Sequence, residues 1–232
     1  MSREINFDSM IQELVERLQP ESILQIGLSS SRSIHSLSRA IANHDGSLIT
    51  LIEPQLYDRP EYDRILQELQ DESLDKSIDF MATYADQVLP DLYFQELRFD
   101  LAILNPCRNY EETFVAFYYL NKMLPLNHYV VIEQANDPVM RRLIRHMVSE
   151  SGYEVHANVE SGMEMPKIER LIREQYARIP GFVRQRVEDF IRPEIVITNE
   201  ELGITGSLIV LEKVQEDDVP VLGVDQMLEA FA

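Results

Sequence analysis

The chain has 232 residues, 45% of them hydrophobic, which is enough for a sizeable core and excludes wholesale disorder. Its 40 acidic residues against 21 basic ones leave a net charge of −19, which disfavours general binding to a nucleic-acid backbone. Cys107 is the single cysteine, so neither an internal disulfide framework nor a multi-cysteine zinc site can form, and no apolar run approaches the roughly 20 residues of a membrane span.

The opening MSREINFDSM has no basic stretch followed by an apolar one, so no secretory signal is read there. The expectation is one cytoplasmic domain over residues 1–232. Residues 8–18 place Met10, Ile11, Leu14 and Leu18 on one helical face, and Pro20 stops that helix. Residues 22–28, SILQIGL, read as a buried strand. Residues 33–43 carry Ile34, Leu37, Ala40 and Ile41 at helical spacing, with Ser33 as N-cap. Asp45-Gly46 is a turn, and residues 47–53, SLITLIE, form a second apolar run ending in Glu53. A helix over 61–74, a weaker strand over 77–82 and a short helix near 88–92 follow. Residues 99–104 are a strong strand. The spacing then predicts a helix over 111–124 with Phe114, Phe117, Tyr118 and Leu120 facing inward. Residues 128–133 are another buried strand, 137–150 another helix, and 153–159 and 206–214 the last two strands.

Continuous apolar strands separated by helices are covered on both faces, which indicates a mostly parallel, doubly wound α/β sheet. Between the last two strands lies a segment from about 160 to 203 that stands apart in charge. Residues 163–194 hold seven basic and six acidic side chains in an otherwise acidic chain. Ile168, Leu171, Ile172, Tyr176 and Ile179 predict one amphipathic helix, Pro180-Gly181 interrupts it, and Val183, Val187, Phe190 and Ile191 predict another. This helical insert should leave from the ligand-facing edge of the sheet. There it would cover the site or join two copies as a homodimer, or simply pack as an amphipathic hairpin.

In open parallel sheets, ligands bind outside the carboxyl ends of the strands where strand order reverses. The first loop reads Gly27-Leu28-Ser29-Ser30-Ser31-Arg32-Ser33, small residues entering a helix N-terminus whose N–H groups suit an anionic group. The bland alternative is a strand-to-helix turn with a serine cap. Glu53 ends the second strand, where a carboxylate can accept two hydrogen bonds from a ribose diol; the bland alternative is an exposed strand-end carboxylate. His35 reads as a surface residue, His128 and His146 as lacking a carboxylate at relay spacing, and Cys107 as a buried apolar residue.

These residues resemble a known family. ILQIGLSSSRSIHSLSRAI, followed by SLITLIEP, looks like the first two motifs of class I S-adenosylmethionine-dependent methyltransferases. FDLAILNPCRNYEETFVAFYYLNKMLPLNHYVVIEQA is similar to the fourth- and fifth-strand region of the small-molecule O-methyltransferase-like branch, and ATYADQVLP to the family's third-strand motif. The resemblance covers residues 20–160, with 206–214 as the last strand, and leaves the insert uncovered. It implies a Rossmann-like doubly wound sheet with helices on both faces, mostly parallel with an antiparallel last strand. It also implies S-adenosylmethionine as cofactor and a small molecule as methyl acceptor. Gly27, Ser29 and Ser31, with Ser33 behind them, would then approach the methionine moiety, Glu53 the ribose, and Tyr84 or Asp86 the adenine. Asn105 and Arg108 would line the reaction centre.

The departures from the pattern are specific. Ser29 and Ser31 stand where further glycines are usual, and serine lacks glycine's access to positive φ. Asn105 replaces the aspartate expected after the fourth strand, and Pro106, Cys107 and Arg108 replace Gly-Asp-His. Asn105, Cys107 and Gln134 are a poor set for a hard cation, so no metal is expected. A non-catalytic binding or assembly relative is the competing expectation. A nicotinamide-dependent dehydrogenase is disfavoured because the loop lacks Gly-x-Gly-x-x-Gly.

Overall fold

The alternation of apolar side chains along the strands divides the core into two layers, one on each face of the sheet. The structure, a computed structural model, describes residues 7–28, 31–42, 44, 46–58, 60–159, 199, 202–204 and 206–216. Helix α1 is Phe7–Leu18, strand β1 Ser22–Ile26, α2 Ser31–Ile41, β2 Leu48–Ile52 and α3 Pro60–Asp71. Then come β3 Ile78–Met81, α4 Ala85–Phe94, β4 Leu101–Leu104, α5 Tyr110–Met123, β5 Tyr129–Ile132, α6 Pro138–Glu150, β6 Tyr153–Val159 and β7 Leu208–Lys213. Ile23, Ile49, Leu51, Leu101, Ile103, Val131 and Val210 face one layer, built with Ile11 and Leu14 of α1, Ile34 and Leu37 of α2, and Leu69 of α3. Leu24, Ile26, Ile52, Leu104, Val130 and Ile132 face the other, with Leu89 of α4, Phe117 and Leu120 of α5, and Leu143 and Met147 of α6.

The seven strands form one sheet in the order β3-β2-β1-β4-β5-β7-β6. β1, β2, β3, β4 and β5 are parallel. β7 runs antiparallel to both β5 and β6, so β6 points the same way as β5 and Val159 ends at the edge that carries the carboxyl ends of β1, β2 and β4. The expected sheet, mostly parallel with an antiparallel last strand, is what the chain forms. The helices expected within 163–192, and any role of theirs as cover or dimer contact, lie outside the described residues.

Four local expectations are corrected. Ser33 does not cap α2: the helix begins at Ser31, and Ser33 is buried in its first turn. Tyr118 does not face inward; it is 55% exposed, because Phe117 and Leu120 already fill the buried stripe of α5. His35 is not a surface residue but 8% exposed, with Nε2 3.6 Å from Glu68 Oε2 on α3. His146 does have a carboxylate at helical spacing, Glu150 Oε2 at 3.5 Å.

At the end of the sheet, Lys213 is buried to 1% exposure. Its Nζ donates to the carbonyls of Asn121 and Leu124 at 2.8 and 3.0 Å and to Glu216 Oε2 at 2.7 Å. It therefore supplies donors and positive charge at the C-terminal end of α5, where carbonyls lack helical partners.

Candidate functional site

Strand order reverses between β1 and β4, and the chain ends of these strands part into a crevice there. A cavity of about 390 Å³ occupies it, bordered by residues after β1, β2, β4 and β5 and before α4. The backbone holds the rim together. Gly27 N–H donates to Ile52 O at 2.8 Å, and Asn105 N–H to Ile26 O at 3.0 Å.

Gly27 turns the chain out of β1 with φ +77°, a conformation that strains any other L-residue. A Cβ at this position would lie 3.0 Å from Asn105 Cβ. Asn105 Nδ2 donates to Gly27 O at 3.2 Å, while its Oδ1 is buried and receives no hydrogen bond. Behind the loop, Gln25 Nε2 donates to Gly27 O and to Ser33 Oγ, both at 3.3 Å. A glutamine inside an apolar strand thus braces the first loop from within the sheet.

Glu53 is 7% exposed and borders the cavity. Its two carboxylate oxygens are each anchored: Oε2 accepts from Leu28 N–H and Oε1 from Gln55 N–H, both at 3.0 Å. Each oxygen keeps a further lone pair for a ligand hydroxyl. Tyr62 of α3 reinforces the same wall by donating to Leu28 O at 3.1 Å.

The opposite wall comes from the segment between β4 and α5. Asn109 caps α5, its side chain accepting from Glu112 N–H at 2.8 Å. Arg108 lays its guanidinium over the Tyr84 ring, Cζ 4.5 Å from the centroid, and its Nε lies 3.3 Å from Glu112 Oε2. Cys107 N–H donates to Thr113 Oγ1 at 3.2 Å. The Cys107 thiol is pushed up to about 12, first by burial and next by the nearby Glu112 carboxylate. It is therefore a protonated thiol at neutral pH and a poor nucleophile. Among the described residues no group of three or more His, Cys, Asp or Glu side chains is placed to hold a metal ion.

The structure thus brings Gly27, Glu53, Tyr84, Asn105 and Arg108 to one cavity. Ser33 and Asp86 do not border it: Ser33 sits behind Gly27, and Asp86 lies within α4 with a buried Oδ1 that receives no hydrogen bond. Ser29 and the side chain of Ser31 lie outside the described residues. Glu112, a wall residue, was not singled out by the sequence, where it falls in the first turn of the helix expected over 111–124.

No family model matches the chain, and no curated protein matches it. Solved structures do. An O-methyltransferase from Streptomyces achromogenes involved in tomaymycin synthesis, solved with S-adenosylmethionine, superposes with a TM-score of 0.51 at 19% identity, over 63% of this chain and 69% of that one. A methyltransferase from Geobacter sulfurreducens gives 0.50 at 16% identity, over 67% and 73%. An rRNA methylase from Streptococcus thermophilus gives 0.55 at 9% identity, over 92% and 100%. With its strand order, its antiparallel β7 and its crevice beside β1, this chain has the Rossmann-like fold of the class I S-adenosylmethionine-dependent methyltransferases.

Proposed function

We propose that the protein is an S-adenosylmethionine-dependent methyltransferase whose acceptor is a small molecule. The observation that carries this reading is Glu53, a buried carboxylate at the end of β2, held by two backbone N–H groups on the wall of the cavity at the reversal point. A carboxylate fixed in that way is suited to a ribose diol.

The other residues fit the same ligand. Gly27 lets a ligand approach the backbone without a Cβ between them. Asn105 Oδ1 is a buried acceptor with no hydrogen bond, which a ligand ammonium group would complete. Tyr84 and Ala85 supply surface for a flat ring. The sulfonium, when bound, supplies an electrophilic methyl carbon and a neutral sulfur leaving group. The chain has then mainly to align the acceptor with that carbon, and alignment alone supplies a large part of the rate.

A small-molecule acceptor is favoured over a nucleic acid by charge. With a net −19, the chain repels a polyanion on average, although the fold is shared with an rRNA methylase. A cavity of about 390 Å³ lies within the usual size range of small-ligand sites, about 300–1,000 Å³. The test is calorimetric titration of the full chain with S-adenosylmethionine and S-adenosylhomocysteine. Binding of one equivalent of either is expected. Heat changes indistinguishable from dilution with both would overturn the reading and leave the non-catalytic assembly role.

A further inference from the structure

Glu112 is a carboxylate in the wrong place for a purely structural residue. It occupies the third position of α5, after the Asn109 cap, where a glutamate ordinarily turns back to the cap's own N–H. It does not do so here. Its side chain is 6% exposed, borders the cavity, and its Oε2 is buried and receives no hydrogen bond. Arg108 Nε at 3.3 Å is the cation beside it, yet the Arg108 side chain is 58% exposed. An ion pair with so exposed a partner returns little, whereas taking a carboxylate out of water is costly. The position therefore disfavours stability and calls for another explanation.

The surroundings supply one. Arg108 and Cys107 lie beside Glu112 on the cavity lining, with Tyr84 stacked against Arg108, and Glu53 borders the same cavity. Asp86 of α4 is near enough to act on the Cys107 thiol. The titratable groups of α6 are turned elsewhere: His146 packs on the Phe114 and Phe117 rings, and Arg142 lies over Tyr110. Among the described residues on the wall between β4 and α5, Glu112 is the side chain able to accept a proton. Asn105 and Arg108 cannot, and the Cys107 thiol already holds one.

We propose that Glu112 is the general base of the reaction, taking the proton from an acceptor whose nucleophilic atom carries one. The inference rests on the methyltransferase reading. When X is a hydroxyl oxygen, its X–H bond breaks, the proton passes to the Glu112 carboxylate, and the electron pair left on X forms the new bond to the methyl carbon; when X is an amine nitrogen, its lone pair forms that bond and the N–H proton then passes to Glu112. The pair that bound that carbon to sulfur stays with sulfur, and the proton later leaves Glu112 for water. Arg108, stacked on Tyr84 beside Glu112, stands ready to stabilise negative charge growing on X. The acceptor class is therefore protic, a hydroxyl or a neutral amine, not a thioether or an aromatic ring nitrogen.

The experiment compares the parent with Glu112→Gln and Glu112→Asp in two readouts. The first is methyl transfer from labelled S-adenosylmethionine to a fixed panel: phenol, catechol and benzylamine as protic acceptors, pyridine and dimethyl sulfide as aprotic ones. S-adenosylhomocysteine affinity is measured for all three proteins beforehand. Transfer confined to the protic members is expected. Glu112→Gln should lower kcat by about 100-fold or more, with KM and S-adenosylhomocysteine affinity within about threefold, and Glu112→Asp should recover part of the loss. The second readout needs no acceptor: the rate of Cys107 alkylation by iodoacetamide at alkaline pH should rise in Glu112→Gln, because burial is the first cause that holds the thiol's proton but the Glu112 charge is the next, and that charge is gone. Equal rates on the aprotic acceptors, an unchanged kcat in Glu112→Gln, or an unchanged alkylation rate would overturn the proposal. So would a parent that binds S-adenosylhomocysteine yet methylates no protic member. A parent that binds no S-adenosylhomocysteine overturns the underlying reading, and this proposal with it.

Discussion

Asn105 holds Gly27 in two ways at once: its amide donates to the Gly27 carbonyl at 3.2 Å, and its Cβ stands 3.0 Å from where a Cβ on residue 27 would lie. One side chain thus ties the end of β4 to the end of β1 at the place where strand order reverses, and it leaves no room for a larger residue there. The amide is chemically apt. A carboxylate at position 105 would set negative charge against the Gly27 carbonyl, whereas the asparagine donates to it. The asparagine that breaks the family pattern is therefore a working part of this loop.

Asn105→Asp is accordingly expected to destabilise the chain, by about 1–3 kcal/mol for a buried hydrogen bond replaced by an unsatisfied pair. Urea unfolding with both proteins at neutral pH measures this. Equal midpoints would show that the contact is idle.

Gly27→Ala is expected to cost about 1–3 kcal/mol from positive φ alone, and the close approach of Asn105 adds to it. Ligand affinity should fall as well, because the loop must shift to relieve the contact. Asn105→Gly combined with Gly27→Ala removes the opposing Cβ and with it the steric part, so the double variant should lose less than the two single losses together.

Glu53→Gln keeps the shape of the side chain but leaves one anchoring N–H, of Leu28 or of Gln55, facing an amide nitrogen. The loss in S-adenosylhomocysteine affinity is expected to be about 1.5–3 kcal/mol, roughly 10- to 150-fold. Calorimetry reads it directly, with thermal unfolding to separate a damaged loop from a lost ligand contact.

The Cys107 thiol ionises ordinarily near 9 and in the folded chain at about 12. Between those values the folded state holds a proton that the unfolded state has released. The stability this contributes is full below about 9 and is lost as pH rises toward 12. The difference in unfolding free energy between parent and Cys107→Ala should therefore shrink steadily above pH 9. A constant difference would contradict the burial of the thiol.

The sheet was legible because its strands are unbroken apolar runs, and the helices because their apolar residues recur at helical spacing. Strand ends were less so. SILQIGL continues apolar beyond Ile26, but the strand stops where Gly27 takes positive φ, a property of backbone and not of hydropathy. Glu53 was legible from its place at the end of an apolar run. Gln25, Glu112 and Lys213 were not. Each has the ordinary character of an exposed polar residue, and only the fold shows that Gln25 braces the first loop, that Glu112 turns into the cavity, and that Lys213 meets the end of α5. Tyr118 misled for the opposite reason: it is apolar enough for the core, but its neighbours in the helix take that face.

Lys213→Met should test this last long-range contact. It would strand the carbonyls of Asn121 and Leu124 in a buried site, at an expected cost of about 2–4 kcal/mol. Denaturant unfolding checks the loss, and S-adenosylhomocysteine affinity should change little, because Lys213 does not border the cavity.

The most direct measurement is a crystal structure of the full chain grown with S-adenosylhomocysteine. The expected arrangement has the ribose hydroxyls within hydrogen-bond distance of Glu53 Oε1 and Oε2, the amino-acid end beside Gly27 and Asn105 Oδ1, and the sulfur facing the Arg108–Glu112 wall. A ligand bound elsewhere on the chain, or one in this cavity with its ribose turned away from Glu53, would contradict it.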